Sequence, residues 1–448
     1  MFSKFYEAIK DLATLDVFDL TFEFSDETLN VLSLEPSNLP RKGVAKRIGL
    51  FFYHWLRSTP GLWQRKGPRI PSKSFVFFVM SKNEKDSLTN VLAKSPNAYW
   101  AGYGSTAPNN LPFFFAYAFS SIFFPLVMAK FLNSRGYKRK SFSYIFDHYW
   151  LIYGLYVISR IWLNRIEPKA LVLSNDISIF SRVLQKAARE ESVPTFYLQH
   201  ASVPENLPPL AFDYALLEGY DALQTHARFG QTQTKIFLVG MPKHDAHLDQ
   251  INGRANVSRV GLCTNGFDPI DRAEELFRGI RQEFPALPLI LRPHNADLRI
   301  KAWKELSERY SMDFSDSSAE SSFDFLGRVD AIVAGESNIL LEAALMNVVP
   351  LYYDFGQAGL DWYRFRRNGL VDYASQPAEL CRILKDNSQN KSSVRMKAKQ
   401  YCVTVGTSYD GRASELASAL IQELASNQTC LEGWKRIPNL SVEAYERS

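Results

Sequence analysis

The sequence predicts an α/β protein of two Rossmann-like domains whose parallel sheets face each other across a cleft. Three observations predict it. The chain has 448 residues, too many for one core when a domain averages roughly 150 residues. Short apolar runs alternate with helical stretches in the β-α-β order of a sheet covered by helices. That alternation occurs twice, on either side of a segment rich in turn formers and short of apolar periodicity, MPKHDAHLDQINGRANVS.

The first series opens with SFVFFVM (74–80), a buried strand, after about 70 residues of short apolar runs and turns. A helix is predicted over Asp147–Ile166. ALVLSND follows, a strand ending in Asn175 and Asp176, then a helix through FSRVLQKAARE and a strand TFYLQH. DYALLEG and KIFLVG continue the rhythm, so the first domain closes near Gly240. In the second series RVGLCTNG is a strand and turn, DRAEELFRGIRQEF a helix, and PLILRPH a strand with a charged tip. AIVAGESN is a strand running into the helix ILLEAALMN, and VVPLYYD is one more strand. The amphipathic stretch ASELASALIQELAS reads as a C-terminal helix. This divides the chain into residues 1–245, 246–410 and a helix with tail at 411–448, the last expected to pack back toward the first domain. No repeat at solenoid periods is present.

The net charge of +5 is modest for this length, and the basic residues form no recognised nucleic-acid module, which excludes that class of partner. Cys263, Cys381, Cys402 and Cys430 lack C-x-x-C spacing and the first twenty residues lack a signal-peptide pattern, so a reducing cytoplasm is expected. Charge clusters locally. Arg41, Lys42, Lys46, Arg47, Arg57, Arg65, Lys66, Arg69 and Lys73 interleave with Phe51, Phe52, Tyr53, Trp55, Leu56 and Trp63. That mixture fits a solvated basic face over core aromatics, or a segment lying among anionic headgroups. LPFFFAYAFSSIFFPLVM (111–128) reaches the lower length of a membrane span, but Pro112, Pro125 and central serines interrupt it. A membrane-docking surface and a buried helix are its other readings.

In an open parallel sheet, ligands collect beyond the C-terminal strand ends. Four such tips stand out in the second half. Asn265 and Gly266 end the first, where a glycine permits close backbone approach. Arg292 and His294 end the second, a guanidinium and an imidazole fit for phosphate. Glu336, Ser337 and Asn338 precede a helix whose N–H groups suit an anion, although Ser337 or Asn338 could equally cap it. Glu342, one turn in, would accept hydrogen bonds from ribose hydroxyls. Tyr353 to Gln357 form the fourth tip and could border a base or sugar.

The first half contributes His200, at the end of TFYLQH, whose ordinary pKa suits a general base or a ligand for the donor's charged group. Asp176, Glu205, Asp213 and Glu218 are the nearby carboxylates that could serve as base or nucleophile, and spacing does not choose among them. His244-x-x-His247 with Asp245 is a fragment of a metal pattern without further ligands. No Asp-x-Asp pair flanks a strand end. Neither a metal nor a cofactor is expected.

The order strand-R-P-H, strand-G-E-S-helix with an internal Glu, then V-P-L-Y-Y, resembles the donor half of GT-B glycosyltransferases. It is most similar to the CMP-Kdo and CMP-sialic acid transferases and CDP-glycerol glycerophosphotransferases of bacterial capsule and lipopolysaccharide assembly. Q-H-A at 199–201 resembles their Q-H-G strand end, with alanine for glycine. The resemblance covers about Ala170 to Asp354. It implies nucleotide binding by Arg292, His294, Ser337 and Asn338, with Glu342 toward the ribose, a CMP-sugar donor, and a surface-glycan or lipid-linked acceptor at the inner membrane face. Glu336-Ser337-Asn338 stands where many relatives have paired serines, which leaves the base open. A UDP-sugar or CDP-glycerol transferase, an epimerase on the same fold and an inactive nucleotide- or glycan-binding scaffold are the alternatives.

Overall fold

The computed structural model describes residues 2–12, 15–24, 43–59, 69–103, 106–205, 207–391, 393–426 and 432–447. Arg41, Lys42, Trp63, Arg65, Lys66 and Cys430 lie outside them. The first series of elements is α1 Phe2–Asp11, α2 Gly43–Arg57, β1 Phe75–Val79, α3 Lys82–Lys94, β2 Ala98–Gly102, β3 Asn109–Asn110, α4 Phe113–Ser121, α5 Phe124–Asn133, α6 Gly136–Ile166, β4 Ala170–Leu173, α7 Ile179–Glu190, β5 Thr195–Leu198, β6 Tyr214–Leu217, α8 Tyr220–His226 and β7 Lys235–Leu238. A 3-10 segment, Pro242–Gln250, leads to β8 Val260–Thr264, α9 Ile270–Glu283, β9 Leu289–Pro293, α10 Ile300–Arg309, β10 Asp313–Phe314, α11 Ser322–Leu326, β11 Ala331–Ala334, α12 Ile339–Leu345, β12 Val349–Tyr353, β13 Asp372–Ala374 and α13 Pro377–Gln389. The chain ends in α14 Ala413–Leu424, β14 Trp434–Arg436 and β15 Ala444–Arg447.

The strands form two sheets, in the orders β14-β15-β7-β6-β5-β4-β1-β2-β3 and β10-β9-β8-β11-β12-β13. Every pairing is parallel except β14 with β15. Helices cover both faces, which is why β1, β4, β5, β8, β9, β11 and β12 are buried along their whole length and read as continuous apolar runs. Strand order reverses between β1 and β4 in the first sheet and between β8 and β11 in the second. These are the topological switch points, where side chains at the strand ends splay apart and leave room for a ligand.

The last segment returns to the first sheet. β15 pairs with β7 through Ala444↔Ile236 to Glu446↔Leu238, and Leu416, Ala417, Leu420 and Ile421 of α14 join the core beneath β1 and β4.

The segment read as a linker runs from β7 of the first sheet to β8 of the second and is packed along its way. Asn90 of α3 donates to the Pro242 carbonyl at 2.9 Å. The Asp245 carboxylate accepts the N–H groups of Ala413 and Ser414 at 3.1 and 2.6 Å, capping α14. His244 is buried, and His247 stacks on Phe323 with ring centroids 4.4 Å apart. Among the described residues no group of three or more His, Cys, Asp or Glu side chains is placed to hold a metal.

The helix predicted over 147–166 is longer, Gly136–Ile166, with a non-helical residue at Ile145. The apolar stretch 111–128 is two helices, α4 and α5, bent by 66°, with Pro125 in the first turn of α5. Among the described residues no single helix is long and apolar enough to cross a membrane. α4 packs closely on α6: a Cβ on Gly154 would lie 1.9 Å from the Ala116 carbonyl, so only glycine fits there. Ser120 Oγ accepts the Gly154 N–H at 2.8 Å and donates to the Leu151 carbonyl at 3.0 Å, satisfying its groups in this apolar contact.

The two sheets are joined by a buried ion pair. Arg364 donates from Nε and Nη2 to the two Asp221 oxygens at 2.9 and 2.7 Å, and from Nη2 to the Val203 carbonyl at 2.7 Å. Gly240, with φ +81°, lies directly against Thr404, where any Cβ would clash at 2.2 Å.

Candidate functional site

A cleft of about 760 Å³ opens between the C-terminal ends of the two sheets. Its first wall consists of Lys82, Asp86 and Asn90 on α3, which follows β1, and His200 beyond β5. Its second wall consists of Thr264 and Asn265 at the end of β8, Arg292 to Asn295 at the end of β9, and Ser337, Asn338 and Glu342 at the start of α12. Lys243 and His247 of the packed connection line it as well. Both switch points therefore face one space.

His200 is partly buried. Its Nδ1 has no hydrogen-bond partner in the protein, and burial lowers its pKa to about 4 despite an opposing interaction with the Ser174 backbone. Thr264 Oγ1 and His247 Nδ1, on two other residues that line the cleft, are likewise buried without a protein partner, an uncommon state for polar atoms.

Lys243 Nζ lies 2.7 Å from Glu342 Oε1. Burial disfavours the ammonium, and the carboxylates of Glu342 and Asp86 outweigh it, so its pKa rises and its charge persists. Glu342, expected to face a ribose, thus holds the lysine. Asn338 spans the domains: its Oδ1 accepts the Ser202 N–H at 3.2 Å.

The guanidinium of Arg292 is more committed than a free phosphate clamp would be. Nη1 donates to Ser315 Oγ at 2.6 Å, Nη2 to the Glu320 carbonyl at 2.9 Å, and the group lies 5.0 Å from the Phe325 ring centroid. It fixes the loop 315–320 that forms one rim. His294 is exposed to the cleft. Its Nδ1 accepts the Ala296 N–H at 3.2 Å, which leaves the proton of the neutral ring on Nε2, a donor for an anion. Burial and the nearby Arg292 lower its pKa.

Asp213, Glu205 and Glu336 stand elsewhere. Asp213 precedes β6, at the opposite end of the sheet, and accepts the Thr195 N–H and hydroxyl at 2.8 and 2.7 Å. Glu205 is exposed and pairs with Arg367 across the domain boundary at 3.0 Å. Glu336 accepts the Tyr363 N–H at 3.0 Å and the Tyr352 hydroxyl at 3.1 Å, so it holds the loop after β12 and does not line the cleft. A Cβ on Gly266 would meet no protein atom within 4 Å and its φ is ordinary, so neither a protein neighbour nor the turn requires a glycine there. Asn265 closes the turn around it, accepting the Phe267 N–H at 2.8 Å.

Asp176 and Glu218 are buried just beneath the first wall. Burial raises the Asp176 pKa to about 6 against the partial relief of Arg182, and Oδ2 has no partner. Glu218 is clasped by Gln199, whose Oε1 accepts the Glu218 N–H at 2.9 Å and whose Nε2 donates to its carboxyl at 3.2 Å. Burial takes its pKa to about 8, the Lys243 charge working against the rise and Glu342 with it. At neutral pH Glu218 is thus largely protonated, a proton donor or store and not a ready base. Sequence reasoning missed Lys243 and the α3 residues. The Pro that fixes Lys243 at the start of a short helix was the available signal.

No protein-family model and no curated protein matches the chain. Solved structures do. The UDP co-structure of S. aureus MnaA superposes with a TM-score of 0.52 at 11% identity, over 80% of this chain and 97% of that one. The UDP-N-acetylglucosamine 2-epimerase described from Listeria monocytogenes gives 0.54 at 12% identity, over 80% and 97%. The UDP-GlcNAc 2-epimerase of Neisseria meningitidis, bound to UDP-GlcNAc, gives 0.53 at 10% identity, over 78% and 100%. The chain has the GT-B fold. At this identity the likeness is one of fold.

Proposed function

We propose that the cleft binds a nucleotide-activated sugar and that the protein transfers the sugar to an acceptor hydroxyl. The observation that carries this reading is the convergence of His200, Lys243, His294 and the start of α12 on one cleft at the switch points of both sheets. Supporting it, two structures of the same fold carry UDP or UDP-GlcNAc in their descriptions. The second wall takes the nucleotide: His294 Nε2 and Lys243 Nζ approach the phosphates, and the amides of Ser337 and Asn338 precede the first intrahelical bonds of α12. The first wall takes the acceptor, with His200 receiving the hydroxyl proton as the sugar moves and the leaving phosphate stabilised by Lys243. The R-P-H and Q-H-A tips favour a CMP-linked donor such as CMP-Kdo, and the acceptor is a glycan or lipid-linked sugar presented at a membrane.

Epimerisation of a UDP-sugar is a second reading, favoured by the two UDP-N-acetylglucosamine 2-epimerase structures of the same fold. The two differ in what they need. Incubation of the protein with CMP- and UDP-sugars, followed by NMR of the donor, separates them: epimerisation interconverts the donor sugar with no acceptor, whereas transfer releases free nucleotide only when an acceptor glycan is added. Nucleotide binding without turnover under either condition would leave a scaffold.

A further inference from the structure

The first domain carries an apolar surface remote in kind from the cleft chemistry. On α2 the outward stripe of Lys46, Gly49, Phe52, Tyr53, Leu56 and Arg57 is exposed, a helical face that should be polar if it met only water. Phe52 is 44% and Leu56 71% exposed. On the bent α4–α5 pair, Phe115 and Ile122, seven residues apart on one face, are 50% and 67% exposed, and Leu126 and Leu132 are 41% and 65% exposed.

These helices pack round one buried ring. Phe51, Phe52 and Phe124 all contact the Trp150 ring of α6, at centroid distances of 3.7, 5.7 and 4.9 Å. Phe52 stacks on Trp55, Trp55 meets Phe114 at 6.0 Å, and Phe114 meets Phe115 at 5.6 Å. Exposed aromatics of α2 and α4 are thereby linked through partly buried ones, as in a patch and not as scattered side chains.

Charge identifies what the patch meets. α2, α4 and α5 contain no Asp or Glu, and the stretch 111–140 contains none, while Lys130, Arg135, Lys138, Arg139 and Lys140 follow the apolar turns. Lys46 and Arg57 flank the α2 stripe. Apolar side chains bordered by cations, on helices that carry no Asp or Glu, match a bilayer of acidic lipids, whose tails accept the one and whose headgroups the other. The 66° bend suits helices lying in the interface better than crossing it. α4 also starts at the cleft side of the first sheet: Phe113 packs on Tyr103, just after β2, and on Phe180 at the start of α7.

We infer that α2, α4 and α5 form a docking surface for an anionic lipid bilayer, inserted through Leu56, Ile122 and their apolar neighbours and held by the basic rim. This does not rest on the nucleotide reading.

Co-sedimentation of the whole protein with vesicles of phosphatidylglycerol and phosphatidylcholine in equal parts tests it. Binding is expected, falling about tenfold or more in L56D/I122D and severalfold in about 0.5 M salt. Binding to pure phosphatidylcholine is expected to be weaker. Both residues are exposed, so an unchanged melting temperature is expected, and K130A/R135A gives an independent reading through the charge if the first variant misfolds. Wild type left in the supernatant, or bound equally in both variants, overturns the inference. So does a self-association that L56D/I122D abolishes with no vesicle binding, which would assign the face to a second copy of the chain.

Discussion

Lys243 Nζ and Glu342 Oε1, 2.7 Å apart, join the connection between the domains to the first turn of the helix that borders the second wall of the cleft. The ammonium is kept charged in a largely enclosed place, and in the proposed function it meets the phosphate. Replacing Lys243 by Ala is expected to weaken nucleotide binding by about tenfold, or about 1.4 kcal/mol, and E342Q by less, because the charge that meets the phosphate remains. Titration calorimetry with each variant checks the ranking.

The Asp221–Arg364 pair is buried on both sides and bidentate. Removing one partner leaves the other charge stranded, so R364A is expected to lose about 3 kcal/mol of stability. A double change to uncharged residues should lose less than the single one. Urea unfolding of the three variants measures both.

Glu218 gives a dependence on pH. Its folded pKa of about 8 lies above the ordinary 4.5, so between those values the folded state holds a proton that the unfolded state has released. Its contribution is full below the lower value and is lost as pH rises through the upper one, by up to about 1.4 kcal/mol per unit. His200, His226 and His244, lowered to about 4 by burial, act oppositely, but only between about 4 and 6.5. From pH 7 to 8 stability should therefore fall with rising pH, and in E218Q that slope should flatten.

Asp245 caps α14 from the connection. D245A is expected to cost about 1 kcal/mol and to loosen the contact between α14 and the first sheet, seen as faster amide exchange in Ala413–Leu424.

Much of this architecture was legible because parallel strands covered on both sides are apolar throughout, so β1, β4, β5, β8, β9, β11 and β12 read directly from the chain, whereas the partly exposed β2, β3 and β10 did not. The tips of β5 and β9 were legible for the same reason: His200 and His294 follow such runs at once. Direction was also available for Asp213, which precedes its strand and so had to lie at the far end. What could not be read was side-chain commitment. Arg292 and Glu336 are of the right types at strand ends, yet Ser315, Glu320, Tyr352 and Tyr363 come from loops whose return to those ends depends on tertiary packing. Lys243 was hidden because a polar stretch with few apolar residues looks like a linker, whereas its backbone is held by Asn90 and its acid by α14. β14 and β15 are short and half exposed, and only the edge of β7 makes strands of them.

The most direct measurement is calorimetric titration of CMP, CDP and UDP into the wild-type protein, K243A and H294A. The account predicts that one nucleotide binds the wild type and binds both variants about tenfold more weakly, with their melting temperatures little changed. Absence of binding by all three nucleotides, or undiminished affinity in both variants, would contradict the placement of a nucleotide in this cleft.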